Sequence, residues 1–281
     1  MPDDVLAGKL REIARRAGQE ILKVYQQEDL GVERKQDATP VTVADLRANA
    51  VIVKALSELD DIYPILSEES EHSPYAERKH WQRYWLVDPL DGTQEFINGN
   101  DQFAVNIALM EGHFPIFGVV YAPVTDTCYW GGESLGAFKQ VGGGSVTAIR
   151  PRSLDAEKEV IVLGSRSYAT PQAASYLEKL KEFYPGLELR PVGSSLKSCH
   201  IAEGLADLYP RLGPTCEWDT AAPQAVVEGA GGRLLNSAGE RFPYNTGESL
   251  VNPDFLVLAD PEQGWRTFWN EELLSGFQAG R

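Results

Sequence analysis

Trp85-Leu-Val-Asp88-Pro-Leu-Asp91-Gly-Thr93-Gln-Glu-Phe-Ile97 decides how this chain is read. Tyr84 to Val87 is a short apolar run and reads as a buried strand. It ends on two carboxylates, Asp88 and Asp91, with Pro89 stiffening the turn between them. Gly92 lets the backbone approach a ligand closely, and a helix opening after it offers free N–H groups to a phosphate. This spacing would let Asp88 bridge two cations while Asp91 holds one. A plainer reading fits equally well: Asp91-Gly-Thr-Gln94 is a helix N-cap with its capping partner.

Two more acidic stations sit at comparable places. Glu68-Glu69 follows the apolar run Ile62–Leu66, and Trp218-Asp219-Thr220 opens a helical stretch. Thr42-Val-Ala-Asp45 has capping-box spacing at the start of another helix. Taken singly, each has an ordinary explanation: a solvated glutamate pair, an N-cap, a capping box. Together they place carboxylates where strands end and helices begin, at the rim where layered α/β folds bind ligands. Converging carboxylates repel unless a cation lies between them. Oxygen donors without His or Cys at matching spacing favour Mg²⁺ over zinc or copper. His72, His80, His113 and His200 share no spacing and read as structural.

Outward from these stations the chain alternates between helix and strand patterns. Leu6, Leu10, Ile13, Ala17, Ile21 and Val24 recur at steps of three and four, predicting an amphipathic helix. A second helix is expected from Thr42. Phe103–Met110 and Pro115–Tyr121 read as a hairpin turned at Glu111-Gly-His113, continued by strands at 128–130 and 137–139. Beyond Gly142-Gly-Gly-Ser145 strands are expected at 160–163, 187–192, 206–209, 233–235 and 255–259. Helices are expected after Thr170-Pro171, at 194–203 and at 220–228. The fold class is therefore α/β (α+β), a layered sandwich in two closely packed lobes, 1–145 and 146–281.

The 281 residues carry 41 acidic and 26 basic side chains, a formal net charge of −15. That excess argues against nucleic-acid binding through a broad basic surface. Three widely spaced cysteines form no CxxC pair, so neither a zinc knuckle nor a dithiol site is expected. The acidic start lacks a signal-peptide pattern, and no apolar run reaches the ~20 residues of a membrane span. A soluble cytoplasmic protein is expected.

At this point the motifs resemble a known family. The 85–97 run is similar to the first signature of the inositol monophosphatase superfamily. Trp218-Asp-Thr-Ala-Ala222 with Gly229-Ala-Gly-Gly232 is similar to its second. Pro40-Val-Thr-Val-Ala-Asp45 and Leu66-Ser-Glu-Glu69 fall in the matching order. Within the superfamily the chain resembles the bacterial 3′(2′),5′-bisphosphate nucleotidases at four stretches. These are His80–Asp88, Gly118–Pro123, Gly193–Lys197 and Leu208–Arg211 with Gly213–Thr215. It departs from them at Gln94, where they usually carry lysine, and at Pro223-Gln224, where they usually carry Gly-His; Pro223 is read as a helix cap.

The resemblance implies a two-lobed fold and a Mg²⁺-dependent phosphomonoesterase that converts adenosine 3′,5′-bisphosphate to AMP and phosphate, with lithium sensitivity and a place in sulfur metabolism. It implies Glu68, Asp88 and the Leu90 carbonyl on one Mg²⁺, with Asp88, Asp91 and Asp219 on a second and a third ion sharing Glu68. Asp45 and Thr93 match the pair that activates water. Glu68, Leu90, Asp91, Gly92, Thr93 and Asp219 would face the scissile phosphate. In the second lobe Gly193, Ser194, Ser195 and Lys197 suit an anion or ribose contact, although Gly-Ser-Ser is also an ordinary N-cap. Tyr209 and Arg211 are candidates for the 5′-phosphate or adenine. An inositol-1-phosphate phosphatase and a non-catalytic acidic binding protein stay open as alternatives. The expected partner is a small nucleotide bisphosphate. Trp265, Phe268, Trp269, Leu273 and Phe277 lie on one face of a C-terminal helix pattern, leaving core docking, a homodimer or weak contact with the inner face of a bacterial membrane open.

Overall fold

The computed structural model describes residues 4–27, 30–34, 40–153, 159–164, 171–184 and 186–261. The first helix, α1 (Asp4–Tyr25), buries Leu10, Ile13, Ala14, Ala17, Ile21 and Val24 along the predicted stripe. A small antiparallel pair, β1 (Glu33–Arg34) and β2 (Pro40–Val41), leads into α2 (Val43–Ser57). These two helices cover one face of a seven-stranded sheet whose spatial order follows the chain. Its strands are β3 (Ile65–Ser67), β4 (Arg83–Asp91), β5 (Ala104–Glu111), β6 (Phe114–Ala122), β7 (Thr127–Gly132), β8 (Gly136–Val141) and β9 (Thr147–Ala148). Short helices α3 (Tyr75–Arg78) and α4 (Thr93–Ile97) flank β4. The expected hairpin is present, β5 and β6 meeting at Gly112-His113 with Gly112 at φ 56°.

The second sheet has five strands in the order β11-β10-β12-β14-β13. They are β10 (Ile161–Gly164), β11 (Glu188–Pro191), β12 (Leu208–Arg211), β13 (Arg233–Asn236) and β14 (Phe255–Leu258). Helix α5 (Pro171–Phe183) lies on the outer face of this sheet, its Tyr176 and Leu180 packing with Val162, Leu208, Leu256 and Leu258. Between the two sheets run α6 (Leu196–Ala202) and α7 (Glu217–Ala230). The layers are thus helix, sheet, helix, sheet, helix.

This layering explains why β4 reads as an unbroken apolar run. Tyr84 and Leu86 enter the core between the sheets, while Trp85 and Val87 enter the core under α1 and α2. Helix α7 rests on the sheet backbone itself. A Cβ at Gly118 would lie 2.2 Å from the Ala222 carbonyl oxygen, and one at Gly229 would lie 2.6 Å from the Gly136 oxygen. No helix among the described residues is long and apolar enough to cross a membrane. The C-terminal aromatic pattern at 265–277 lies outside the described residues.

Three local expectations are corrected. First, β4 does not end at Val87 but continues to Asp91, so Pro89 stands within a strand rather than a turn. Asp88 pairs with Asn106 and Asp91 with Ala104, so one extra residue is accommodated as a bulge. Second, α7 begins at Glu217, ahead of the expected Thr220. Third, Pro223 is inside α7 and caps nothing. Lacking an N–H, it leaves the Asp219 carbonyl without the usual helical donor four residues on.

Candidate active site

In a regular strand, residues three apart face opposite sides of the sheet. The bulge in β4 removes that opposition, bringing Asp88 and Asp91 to the same side, toward α6 and α7. From α7 comes Asp219, and carboxylate oxygens of Asp88, Asp91 and Asp219 lie within 4.8 Å of one another. Asp88 is buried, its Oδ1 accepting the Leu90 N–H at 3.0 Å. Asp91 is not an N-cap: Gly92 takes that position at φ 91°, and Asp91 Oδ2 accepts the Ser195 N–H instead. Asp219 is not an N-cap either. Cys216 caps α7, and Asp219 is the third-residue partner of the box, its Oδ2 accepting the Cys216 N–H at 2.8 Å. In Asp91 and Asp219 alike, the backbone of a helix start engages one oxygen and thereby aims the side chain.

Burial and mutual repulsion shape the cluster's titration. Burial first, then the charges of Glu68, Asp91 and Asp219, push Asp88 well above the usual carboxylate range. Asp219 is pushed up to about 8 by burial, with Asp91 and Glu68 adding to the rise. Asp91 is raised by burial as well, opposed by its Ser195 bond, Lys197 and Asn106. Glu68, at the end of β3 with its N–H on the Val87 carbonyl, therefore acts electrostatically on both Asp88 and Asp219. A set of hard carboxylate oxygens that destabilise one another as anions fits a divalent cation such as Mg²⁺, whose charge removes the repulsion.

Beside the cluster, Asp45 both caps a helix and reaches toward Thr93. It closes the capping box of α2, Oδ2 accepting the Thr42 N–H at 2.7 Å and the Thr42 hydroxyl at 2.6 Å. Its Oδ1 accepts from Thr93 Oγ1 at 3.2 Å, and that hydroxyl lies 3.3 Å from the Leu90 carbonyl oxygen. Burial pushes Asp45 up to about 6 against the pull of Thr42, with Glu69 reinforcing the rise.

Several supporting residues escaped the sequence reading. Asn49 on α2 donates to the Glu69 carbonyl and to Ser70 Oγ and accepts from Ser67 Oγ, pinning the acidic loop after β3. Asn106, buried on β5, accepts from Ser195 Oγ at 2.9 Å and so joins the sheet to the start of α6. Gln102 Oε1 accepts the Gly193 N–H at 2.8 Å. Single polar side chains, whether in helix, strand or loop, give no local signal of such long-range pairing. Gly193 is required sterically, since a Cβ there would lie 2.7 Å from Glu95 Cγ.

A cavity of about 190 Å³ opens beside the carboxylates, with Asp91, Gly92, Ser194, Ser195, Lys197, Tyr209, Arg211 and Asp219 in its walls. Lys197 is buried and donates to the Val192 and Ser194 carbonyls, with its Nζ 5.1 Å from the Tyr209 ring centre. Burial holds Lys197 down at about 8 and pushes the Tyr209 hydroxyl up to about 12. Ser194 adopts φ 50°, and Arg211 Nη2 donates to the Pro214 carbonyl at 2.7 Å. Gln94 is exposed and bonds to Asn98, outside the cavity wall. His72 and His113 bond to backbone carbonyls, in keeping with structural roles.

Comparison with known proteins places this geometry. The model of the inositol monophosphatase family matches residues 3–267. The chain is 43% identical over 247 residues to the 3′(2′),5′-bisphosphate nucleotidase CysQ of Salmonella typhimurium, covering 88% of this chain and 96% of that one. It is 37% identical over 266 residues to the protein of the same name from Haemophilus influenzae, covering 92% and 94%. Among solved structures, CysQ from Bacteroides thetaiotaomicron superposes with a TM-score of 0.78 at 39% identity, covering 90% of this chain and 97% of that one. The extragenic suppressor protein suhB of Bartonella henselae gives a TM-score of 0.77 at 26% identity, covering 97% and 100%.

Proposed function

The chain belongs to the inositol monophosphatase family, and from that membership we propose that it is a Mg²⁺-dependent 3′(2′),5′-bisphosphate nucleotidase. Its reaction would be hydrolysis of adenosine 3′,5′-bisphosphate to AMP and phosphate, with the corresponding 5′-phosphosulfate, a mixed anhydride, as a second substrate losing the same 3′-phosphate. The observation that carries the reading is the meeting of Asp88, Asp91 and Asp219 beside the Asp45–Thr93 pair, at a cavity whose walls also carry Lys197 and Arg211. The nucleotidase names of the relatives at 37–44% identity select the substrate.

Glu68, Asp88 and the Leu90 carbonyl would hold one Mg²⁺, and Asp88, Asp91 and Asp219 a second, with Glu68 available to a third. When bound, these ions supply positive charge opposite the attacking and leaving oxygens. The chain's own residues do the rest. Thr93 Oγ1 donates to Asp45 Oδ1, which leaves its lone pairs free to accept an O–H from water. Asp45, raised to about 6, then takes the proton passed through Thr93, close to the strength wanted of a base near neutrality. Hydrolysis would go directly to water, whose proton the Thr93–Asp45 pair is placed to take.

The lobe of residues 1–145 would thus supply most ligands and the base. The lobe of 146–281 would supply Asp219 and the nucleotide contacts: Gly193, Ser194, Ser195 and Lys197 toward the ribose and phosphate, Tyr209 and Arg211 toward the 5′-phosphate and adenine. We place the enzyme in the bacterial cytoplasm, with no nucleic-acid partner. The test is phosphate release from adenosine 3′,5′-bisphosphate and from inositol 1-phosphate, each with Mg²⁺ and with chelator. Metal-dependent preference for the bisphosphate is expected; preference for inositol 1-phosphate would overturn the substrate assignment.

A further inference from the structure

Arg78, the last residue of α3, is 1% exposed although no carboxylate among the described residues is hydrogen-bonded to it. Its guanidinium donates to the Ser73 carbonyl at 2.8 Å, Asn245 Oδ1 at 2.6 Å, the Gly247 carbonyl at 3.2 Å and the Glu248 carbonyl at 2.9 Å. Asn245 Nδ2 answers by donating to the Arg78 carbonyl at 2.8 Å. The Asn245 backbone N–H donates to Glu217 Oε1, also at 2.8 Å. Glu217 is 5% exposed and is the first residue of α7, the helix that presents Asp219. A continuous buried chain of hydrogen bonds therefore runs from the segment following Glu68 to the helix start bearing Asp219. A second link is parallel to it: His72 Nε2 lies 3.0 Å from the Ser67 oxygen, and its ring centre lies 5.2 Å from that of Trp218.

Burying a guanidinium among neutral acceptors carries a large desolvation cost, and an apolar replacement of like volume would often be at least as stable. The fork instead fixes geometry, because its planar donors must meet four acceptors at once. We propose that Arg78, Asn245 and Glu217 are positioning residues, a clamp between the lobes that sets the separation of Glu68 and Asp219 and thereby the affinity of the site for divalent cations. This rests on the metal-dependent reading above. None of the three lines the cavity. The clamp acts through the backbone that carries the ligands.

The test uses the full chain stripped with chelator, then titrated with Mg²⁺ while the melting temperature is followed. Asn245→Gly suits the position, since Asn245 sits at φ 52° and glycine keeps both that conformation and the N–H to Glu217 while deleting the amide. Arg78→Lys keeps the charge and loses the fork. In both variants the Mg²⁺ concentration needed for a fixed thermal upshift should rise about tenfold, the loss typical of groups that orient metal ligands. Ile13→Val, under α1 and away from the clamp, controls for general destabilisation and should leave that concentration unchanged. Variants that melt lower yet need only the wild-type Mg²⁺ concentration for the same upshift would overturn the clamp. A wild-type protein with no Mg²⁺-dependent upshift would overturn the metal reading itself, a separate and recognisable failure.

Discussion

Thr93 Oγ1 lies 3.2 Å from Asp45 Oδ1 while Thr42 holds the other oxygen of the same carboxylate through its N–H and its hydroxyl. Asp45 is thereby fixed in orientation by its own helix, with one oxygen turned to the site. Replacing Asp45 by Asn should lower kcat by about 10²–10⁴-fold, the range for loss of a general base. Thr42→Ala keeps the base and removes part of its support. That variant should lose about 1 kcal/mol in urea unfolding, as for a lost N-cap, with a smaller fall in kcat. Steady-state kinetics on both variants decides the matter; near wild-type turnover in Asp45→Asn would remove Asp45 from the mechanism.

Asp91→Asn separates the electrostatic role from the structural one. The amide oxygen can still accept the Ser195 N–H, and one member of the repelling set is gone. Metal-free protein should melt higher than wild type, and phosphate release in Mg²⁺ should vanish. A lower melting temperature in chelator would contradict mutual repulsion among Asp88, Asp91 and Asp219.

The same repulsion sets a pH dependence. Asp45 and Asp219 hold their protons in the folded chain up to about 6 and about 8, and Asp88 and Asp91 are raised too. Unfolded, each loses its proton near pH 4. The folded state therefore binds more protons between these limits, and metal-free stability should fall as pH rises from about 4 to about 8. Mg²⁺ should offset the fall, most strongly at the upper end. Melting curves at stepped pH, with chelator and with Mg²⁺, report it; a flat profile in chelator would refute the raised carboxyls.

Gly118→Ala tests the seat of α7. The added methyl would meet the Ala222 carbonyl, so the helix must shift off the sheet. Overpacking of this kind costs about 1–3 kcal/mol, read as a lower urea midpoint. Because Asp219 travels with α7, the Mg²⁺ requirement should rise as well.

The local code of this protein is legible residue by residue. The three–four periodicity of α1, the hairpin at Gly112-His113, the capping box at Thr42 and Asp45, and the acidic stations all follow from short-range rules that a side chain carries wherever it is placed. Less legible are the elements whose form depends on neighbours. Pro89 reads as a turn, yet pairing with β5 keeps β4 extended through it as a bulge. Pro223 reads as a cap, yet α7 runs through it, packed between two sheets that make the helix worth more than its missing hydrogen bond.

The motifs and their order suffice to place this chain in the inositol monophosphatase family and to mark its candidate carboxylates. Only packing decides how they meet. A one-residue bulge turns Asp88 and Asp91 to one side, the Cys216 cap aims Asp219, and Asn106, Asn49 and Arg78 hold distant segments in register. Hydrogen bonds between residues tens of positions apart leave no periodic trace in a sequence, because their geometry exists only once both sheets have closed on α7.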